Sequence, residues 1–252
     1  QSITGVGFQP DWTWTKYRND TYGHRLIDAV RGATKELYSN NDGAESTTAT
    51  GLTSFDSDGF TLGSSSGVNH NNGTYVSWNW KAGTTSGLTT NGTTTITPTS
   101  YSFNSTAGFS ILKYTGNGAA GAYVAHGLGT TPAMIIVKKT SGSAGWFVYH
   151  QKLQSTYNIY LNTTDAEFGG AYVYSPDATN FRLRDHNDVN QNSETYVAYC
   201  FAEKKGYSKF GSYTGNGNAN EPFVYLGFKP AMVIYKRASD GTNNWSIFDN
   251  KR

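Results

Sequence analysis

The chain has 252 residues, enough for one large β domain or two domains of ordinary size. Glycine (29 residues) and tyrosine (18) are abundant, only 15% of the residues are charged, and the formal net charge is +2. Such a composition offers no broad basic surface to a phosphate backbone, so no nucleic-acid partner is expected. No apolar run approaches the roughly 18 residues of a membrane span, so no membrane insertion is expected either.

The first predicted strand, residues 11–17, alternates strictly between two faces. Trp12, Trp14 and Lys16 share one face, predicted to be buried, while Asp11 and its alternating neighbours share the other, predicted to be wet. Residues 24–30 read as the next strand, and residues 33–38 as short helical or irregular structure. Residues 74–81 form a second strongly alternating strand, with Val76, Trp78 and Trp80 on the dry face.

Residues 84–107 are almost entirely glycine, threonine, serine and asparagine. Such a composition buries too little apolar surface to fold alone. We predict a linker or an extended surface arm.

The stretch at residues 10–16 returns at residues 132–138 and 230–236, each time running from a proline to a lysine. Residues 195–202 likewise parallel residues 74–81 at an offset of 121. Recurrence at a constant spacing indicates internal repeats. We therefore predict an all-β fold of tandem β-sandwich repeats with antiparallel sheets: copy one (residues 1–83, lacking its first hairpin), copy two (108–206) and a partial copy three (207–252).

Copy two differs from copy one on the second face of its strands. Ala198, Cys200 and Ala202 stand where copy one has polar residues. Copy two is therefore expected to be covered on both faces. Copy three repeats the Tyr-Thr-Gly-Asn-Gly element of copy two, which copy one lacks. It completes copy one in the same chain or a neighbouring one, or else the chain is a piece of a longer repeat array.

Catalytic and metal-binding patterns are weak. Asp56 and Asp58 with Gly59 resemble the start of a calcium loop but lack its downstream glutamate, so an ordinary hairpin turn is favoured. The five histidines are scattered, and no nucleophile elbow or phosphate loop occurs. We expect no cofactor and no enzymatic activity. A spatial pair of carboxylates for glycan hydrolysis stays open as a remote alternative.

Exposed tyrosines next to polar loops suggest sugar contacts, because rings stack on sugars while amides and carboxylates bond to hydroxyls. The same composition is typical of any tyrosine-rich β surface. The candidate glycan contacts are Tyr17, Tyr22, Tyr172, Tyr174, Asp185 and Asn187.

Three segments of copy one carry a resemblance to a known family: the pattern Gly-Phe-x-Pro-x-x-x-x-x-Lys, the segment Arg31-Gly-Ala-Thr-Lys35, and the run from Leu52 to Gly63. With the Asn-Gly-Thr-Tyr-Val-x-Trp-Asn-Trp-Lys-Ala-Gly83 segment, they resemble a repeat of virion structural and tail-fibre-like proteins of tailed, marine-type bacteriophages. Copy two departs from it, with Thr130 for phenylalanine and His150 for aspartate. The resemblance implies a concanavalin-like or jelly-roll β-sandwich and a virion role, and it brings no catalytic residues.

The expected function is a non-enzymatic virion structural protein on the particle surface: a tail fibre, an adhesin or a capsid-decorating component. Its expected partners are further copies of itself and other virion proteins. The alternative is a carbohydrate-binding module that recognises host-surface glycans.

Overall fold

The computed structural model describes residues 1–220 and 222–251, and it is all-β apart from two single helical turns. The helical turns are α1 (Ser66–Asn69) and α2 (Asn187–Asn190). The strands of the first 83 residues are β1 (Ser2–Thr4), β2 (Trp12–Tyr17), β3 (Arg25–Asp28), β4 (Lys35–Tyr38), β5 (Ser46–Thr47), β6 (Leu52–Asp56), β7 (Gly59–Leu62) and β8 (Tyr75–Trp80).

The later strands begin with β9 (Ser100–Asn104), which lies in the predicted linker. The others are β10 (Phe109–Thr115), β11 (Ala122–Ala125), β12 (Met134–Lys139), β13 (Phe147–His150), β14 (Tyr157–Tyr160), β15 (Phe168–Gly169), β16 (Val173–Tyr174), β17 (Asn180–Leu183), β18 (Thr195–Phe201), β19 (Met232–Tyr235) and β20 (Ser246–Asp249).

Copy one is a sandwich of two antiparallel sheets. Its large sheet has the strand order β5-β4-β3-β2-β8, and its small sheet has the order β1-β7-β6. Ile27, Leu52, Phe60 and Val68 form the core between them. The two sheets thus bury one face each against the other.

Copy two has the same layout with a larger main sheet. Its seven strands follow the order β15-β14-β13-β12-β18-β10-β9, and β11-β17-β16 form the small sheet. The five strands from β15 to β18 match β5 to β8 in order. Val124, Phe181 and Cys200 lie in the core between the two sheets.

The two large sheets pack against each other through an aromatic core. The rings of Trp12 and Tyr199 stack with centroids 4.5 Å apart, and Trp12 also stacks on Phe109 at 5.6 Å. Trp14, Ile136 and Val197 belong to the same cluster. The chain is therefore a stack of four layers, with the small sheets outside and the large sheets in the middle.

The prediction of a dry and a wet face in copy one is half wrong. The tryptophan face is buried, but against copy two. The opposite face is buried too: Asp11, Thr13 and Thr15 are 5%, 0% and 6% exposed. Thr13 and Thr15 lie on the side of the small sheet, and Asp11 accepts a hydrogen bond from Ser102 of β9 at 3.1 Å. Their polar groups are satisfied inside, since the hydroxyl of Thr13 donates to Asn79 Oδ1 at 3.0 Å and Asp11 accepts from the amide of Ala82 at 2.8 Å.

The prediction that copy two is covered on both faces is confirmed. Ala198, Cys200 and Ala202 are at most 1% exposed. Their face packs on the small sheet of copy two. The face that carries Tyr199 packs on copy one.

The predicted linker is part of the fold. Ser100–Asn104 pairs with β10 as the end strand of the seven-stranded sheet. Before it, Ile96 is 5% exposed and forms a parallel bridge with Val124. The prediction from composition was wrong because the segment does not need a core of its own. It adds backbone hydrogen bonds and the buried side chain of Ile96 to sheets formed by the rest of copy two.

Copy three forms a hairpin. Strands β19 and β20 pair with each other and add no strand to either large sheet in the described part of the chain. The hairpin rests on both copies: Trp245 Nε1 donates to the carbonyl oxygen of Tyr160 at 2.8 Å, and Asp249 accepts from Trp78 Nε1 at 3.2 Å.

Candidate functional site

A cleft of about 430 Å³ opens in copy one, where the two sheets of the sandwich diverge. Tyr75 and Ser77 of the end strand β8 form one wall, and Ile3 and Phe60 of the small sheet form the other. The turn of residues 69–73 closes one end. Rings, hydroxyls and amides therefore line the same opening, as in many sites for polar ligands.

The turn at the end of the cleft is held by the hydroxyl of Tyr75. This hydroxyl donates to the carbonyl oxygen of Ser66 at 2.7 Å and accepts from the amide of His70 at 2.9 Å. Asn72 has a φ of 62°, a left-handed conformation that asparagine tolerates better than most residues. The cleft therefore has a fixed polar end.

Two of the predicted glycan contacts lie beside the cleft. The ring of Tyr17 stacks on Tyr75 with centroids 4.5 Å apart, and on Tyr22 at 5.6 Å. Tyr17 is only 5% exposed, so the prediction of an exposed ring is wrong there, because its neighbours cover it. Tyr22 is 38% exposed, and its hydroxyl lies 3.2 Å from Ser66 Oγ.

The other four predicted glycan contacts lie in copy two. Asp185 and Asn187 are exposed and flank His186, whose ring meets Tyr172 edge-on at 4.6 Å. Tyr172 also packs on Phe147 at 4.6 Å and is half-buried. Tyr174 is half-buried as well, and the guanidinium of Arg182 lies 5.1 Å from its ring centroid. The six residues thus form two groups, one on each copy.

Asp56 and Asp58 are engaged in hydrogen bonds within copy one. Asp58 accepts from the amides of Gly5 and Gly7 at 3.0 and 2.6 Å, and these bonds lower the pKa of its carboxyl. Asp56 accepts from the hydroxyls of Ser54 and Thr61 at 2.8 and 2.7 Å. Among residues 1–220 and 222–251, no three histidine, cysteine or acidic side chains are grouped to hold a metal ion. The turn interpretation accounts for both aspartates.

A charged cluster is buried between the two large sheets. Arg31 donates to Asp28 Oδ2 at 2.5 Å and to Glu45 at 3.1 Å. Tyr199 donates to the same oxygen of Asp28 at 2.7 Å. Burial by itself would lower the pKa of Arg31, but Asp28, Tyr199 and Glu45 raise it above its ordinary value. The permanently charged guanidinium therefore ties copy one to copy two.

Three further buried groups have shifted pKa values and lie away from the cleft. Burial lowers the pKa of His126 to about 4 and that of Lys138 to about 8, and it raises the pKa of Cys200 to about 12. A thiol with so high a pKa is a poor nucleophile near neutral pH. All three groups are completely buried.

Residues 69–73, which form the end of the cleft, were not singled out from the sequence. A signal was present in the offset of 121 that relates them to residues 190–194. Those residues hold the Tyr-Thr-Gly-Asn-Gly element of copy two, since Gly118 donates to the carbonyl oxygen of Asn190 at 3.0 Å. The cleft is the corresponding place in copy one.

None of the helices in the described residues has the length and apolar character of a membrane-spanning segment. A family model described as a domain of unknown function (DUF7483) matches residues 1–252. No curated protein and no solved structure matches the chain.

Proposed function

The chain belongs to the family of this domain of unknown function, and we propose that it is a non-enzymatic structural protein on the surface of a tailed-bacteriophage particle. In this role it serves as a fibre, adhesin or capsid-decorating component. Its partners are further copies of itself and other proteins of the particle.

One observation carries the proposal: the two copies are fused into a single body. Trp12 is 1% exposed and lies against Phe109, Tyr199 and Phe201 of the other large sheet. The Arg31 cluster bridges the same interface. Large buried aromatic surface together with satisfied charges gives a rigid unit, which suits a load-bearing component.

The surface of copy three supports assembly with other proteins. Phe223, Tyr225 and Tyr207 are 84%, 77% and 64% exposed, and Phe248 is 58% exposed. Exposed apolar side chains concentrated in one segment mark surfaces that bind other proteins.

Labelling of intact particles tests this role. Antibodies raised against the purified chain should decorate tailed phage particles from a host that carries the gene, when viewed by electron microscopy. Detection of the protein only in the particle-free fraction of infected cells would overturn the proposal. Turnover of a polysaccharide by the purified chain would overturn its non-enzymatic part.

A second candidate is the recognition of host-surface glycans in copy two. The half-buried ring of Tyr172, the guanidinium of Arg184 at 5.7 Å from it, and exposed Asp185 and Asn187 lie around His186. Binding on a glycan array that is lost in Asp185→Ala, and kept in the exposed control Asp177→Ala, would support it. Failure of the chain to bind any glycan on the array would remove this candidate.

A further inference from the structure

The turn that closes the cleft in copy one has the same internal contacts as its counterpart in copy two. The hydroxyl of Tyr196 donates to Asn187 and accepts from the amide of Gln191, at 2.7 and 2.9 Å. Tyr75 makes the same two bonds at the same two distances. Ser193 has a φ of 67°, matching 62° at Asn72. The two turns therefore present the same backbone surface.

In copy two this surface is occupied by the end of β10 and the residues after it. Tyr114 stacks on Tyr196 at 5.1 Å, and its hydroxyl donates to the carbonyl oxygen of Val189 at 2.8 Å. The amide of Asn117 donates to Asn190 Oδ1 at 3.0 Å, and Asn190 Nδ2 donates back to Asn117 Oδ1 at 3.2 Å. Side chains and backbone together fix the Tyr-Thr-Gly-Asn-Gly element.

In copy one the same surface stays open. Val68 and Asn69, the counterparts of Val189 and Asn190, line the cleft. The amide nitrogen of the Asn69 side chain donates instead to the carbonyl oxygen of Gly63 at 2.8 Å. The cleft therefore has the residues that hold a Tyr-Thr-Gly-Asn-Gly strand and lacks the strand.

The edge of the neighbouring strand is open as well. In copy two, β18 lies between β12 and β10, whereas in copy one β8 is the end strand of its sheet. Gly116, just after the end of β10, donates to the carbonyl oxygen of Glu194 at 2.9 Å. In an antiparallel ladder, every second residue directs its backbone N–H and C=O groups to the same neighbouring strand, so those of Tyr196 and Ala198 also point towards β10. At an offset of 121, Tyr75 and Ser77 direct theirs outward. An open edge of this kind accepts an added strand.

A matching strand is present in copy three. Residues 213–217 repeat the sequence Tyr-Thr-Gly-Asn-Gly of residues 114–118. They are exposed and belong to no strand, and Tyr213 is 56% exposed. One chain thus carries both an empty cleft and an unpaired copy of the sequence that fills the equivalent place.

We propose that the cleft of copy one binds residues 211–217 of a second copy of this chain, as a strand added antiparallel to β8. In this register Tyr213 lies opposite Tyr75, as Tyr114 lies opposite Tyr196. Tyr213 stacks on Tyr75 and donates to the carbonyl oxygen of Val68, and Asn216 pairs with Asn69. The proposal deepens the structural role proposed above by naming a partner, and that role can stand without it.

The contact is head-to-tail, because the cleft and the strand are different surfaces. Each chain offers one of each, so successive chains join into a ring or an open fibre. Two variants remove one half of the contact each. Tyr213→Ala removes the ring from an exposed segment, and Ser77→Pro removes a backbone donor from the edge of β8, where proline is tolerated.

Sedimentation velocity of the full chain over a range of concentrations tests the proposal. We expect association beyond a dimer that is weakened at least about tenfold in Tyr213→Ala and in Ser77→Pro. Asn220→Ala, at an exposed position of the same segment outside the repeated sequence, should associate like the wild type. A mixture of Tyr213→Ala and Ser77→Pro should form dimers and nothing larger, because only one intact contact remains.

Three results would overturn the proposal. The first is a wild-type chain that stays monomeric up to roughly 1 mM, where even weak contacts associate. The second is a monomer whose stability falls in Tyr213→Ala, since the strand would then pair within its own chain. The third is a monomer whose cleft binds an oligosaccharide. Circular dichroism of each variant separates loss of the contact from loss of the fold, and particle labelling tests the structural role separately.

Discussion

The phenolic hydroxyl of Tyr199 donates a hydrogen bond of 2.7 Å to Asp28, across the boundary between the two large sheets. Both side chains are completely buried. Burial raises the pKa of Tyr199 well above its ordinary value, so the hydroxyl stays protonated and keeps donating. The bond therefore joins copy one to copy two through a hydroxyl that stays protonated.

Removing this hydroxyl should weaken the fold moderately. Tyr199→Phe should lower the free energy of unfolding by about 1.5–3 kcal/mol, the usual contribution of a bond to a charged group. Asp28→Asn should cost more, about 3–5 kcal/mol, because it leaves Arg31 buried with a weaker partner. Urea denaturation measures both. Tyr207→Phe, at a 64% exposed position, is the control and should change little. Equal free energies of unfolding for all three variants would contradict a stabilising role of the hydrogen bond between Tyr199 and Asp28.

Two neighbouring tryptophans should respond differently to the same substitution. Trp14 Nε1 donates to His24 Nδ1 at 2.9 Å, whereas Trp12 Nε1 is buried and has no hydrogen-bond partner among the described residues. Both changes to phenylalanine remove core volume, but only Trp14→Phe breaks a hydrogen bond. Trp14→Phe should therefore cost about 1 kcal/mol more than Trp12→Phe in urea unfolding. The reverse order would show that the packing of Trp12 outweighs the bond.

The buried amine of Lys138 should make stability depend on pH in the alkaline range. Burial lowers the pKa of this amine from 10.5 to about 8 in the folded protein. Between these values the unfolded chain binds the proton and the folded chain does not, so stability rises as the pH increases. Lys138→Met should therefore be more stable than the wild type at pH 7, by up to about 3 kcal/mol.

This advantage of Lys138→Met should shrink as the pH rises from 8 to 10.5, as followed by urea unfolding at each pH. Lys113→Met, which removes a charge at a half-buried position on β10, is the control. A constant difference between Lys138→Met and the wild type across this range would contradict the shifted pKa.

The buried imidazole of His126 should make the stability of the fold depend on pH in the acid range. Burial lowers the pKa of its imidazole from 6.5 to about 4. Between these values the unfolded chain binds the additional proton, so stability is full above pH 6.5 and falls as the pH approaches 4. The loss should reach up to about 3 kcal/mol. His126→Gln should lack this part of the slope, and His186→Gln, in a loop, should keep it. Identical slopes in wild type and His126→Gln would contradict the prediction.

Alternation in the sequence was enough to predict the main strands. Residues 11–17 and 74–81 were predicted as strands, and β2 and β8 confirm them within one residue. Alternation separates two faces but carries no information on what covers each face. The face of Thr13 was predicted to be wet because threonine is polar, yet its hydroxyl is satisfied by Asn79 inside the sandwich.

Other elements could not be predicted because tertiary contacts override local preference. Residues 33–38 were expected to be helical or irregular, whereas Lys35–Tyr38 is a strand whose Leu37 is completely buried. The neighbouring strand β3 supplies the hydrogen bonds that favour it. The cleft was missed for a related reason. Its residues 69–73 have the composition of an ordinary turn, and they are distinguished only by the open edge of β8 beside them, where copy two has β10.

The four-layer stack also determines how the molecule opens. Strands β2 and β18 lie in middle layers, with cores on both sides. Their amides therefore exchange hydrogen with solvent only when the layers separate, and separation of one interface uncovers the tryptophans of both copies. Hydrogen exchange in β2 and β18 should then proceed at a common, slowest rate set by global unfolding, while the hairpin of β19 and β20 exchanges independently and sooner.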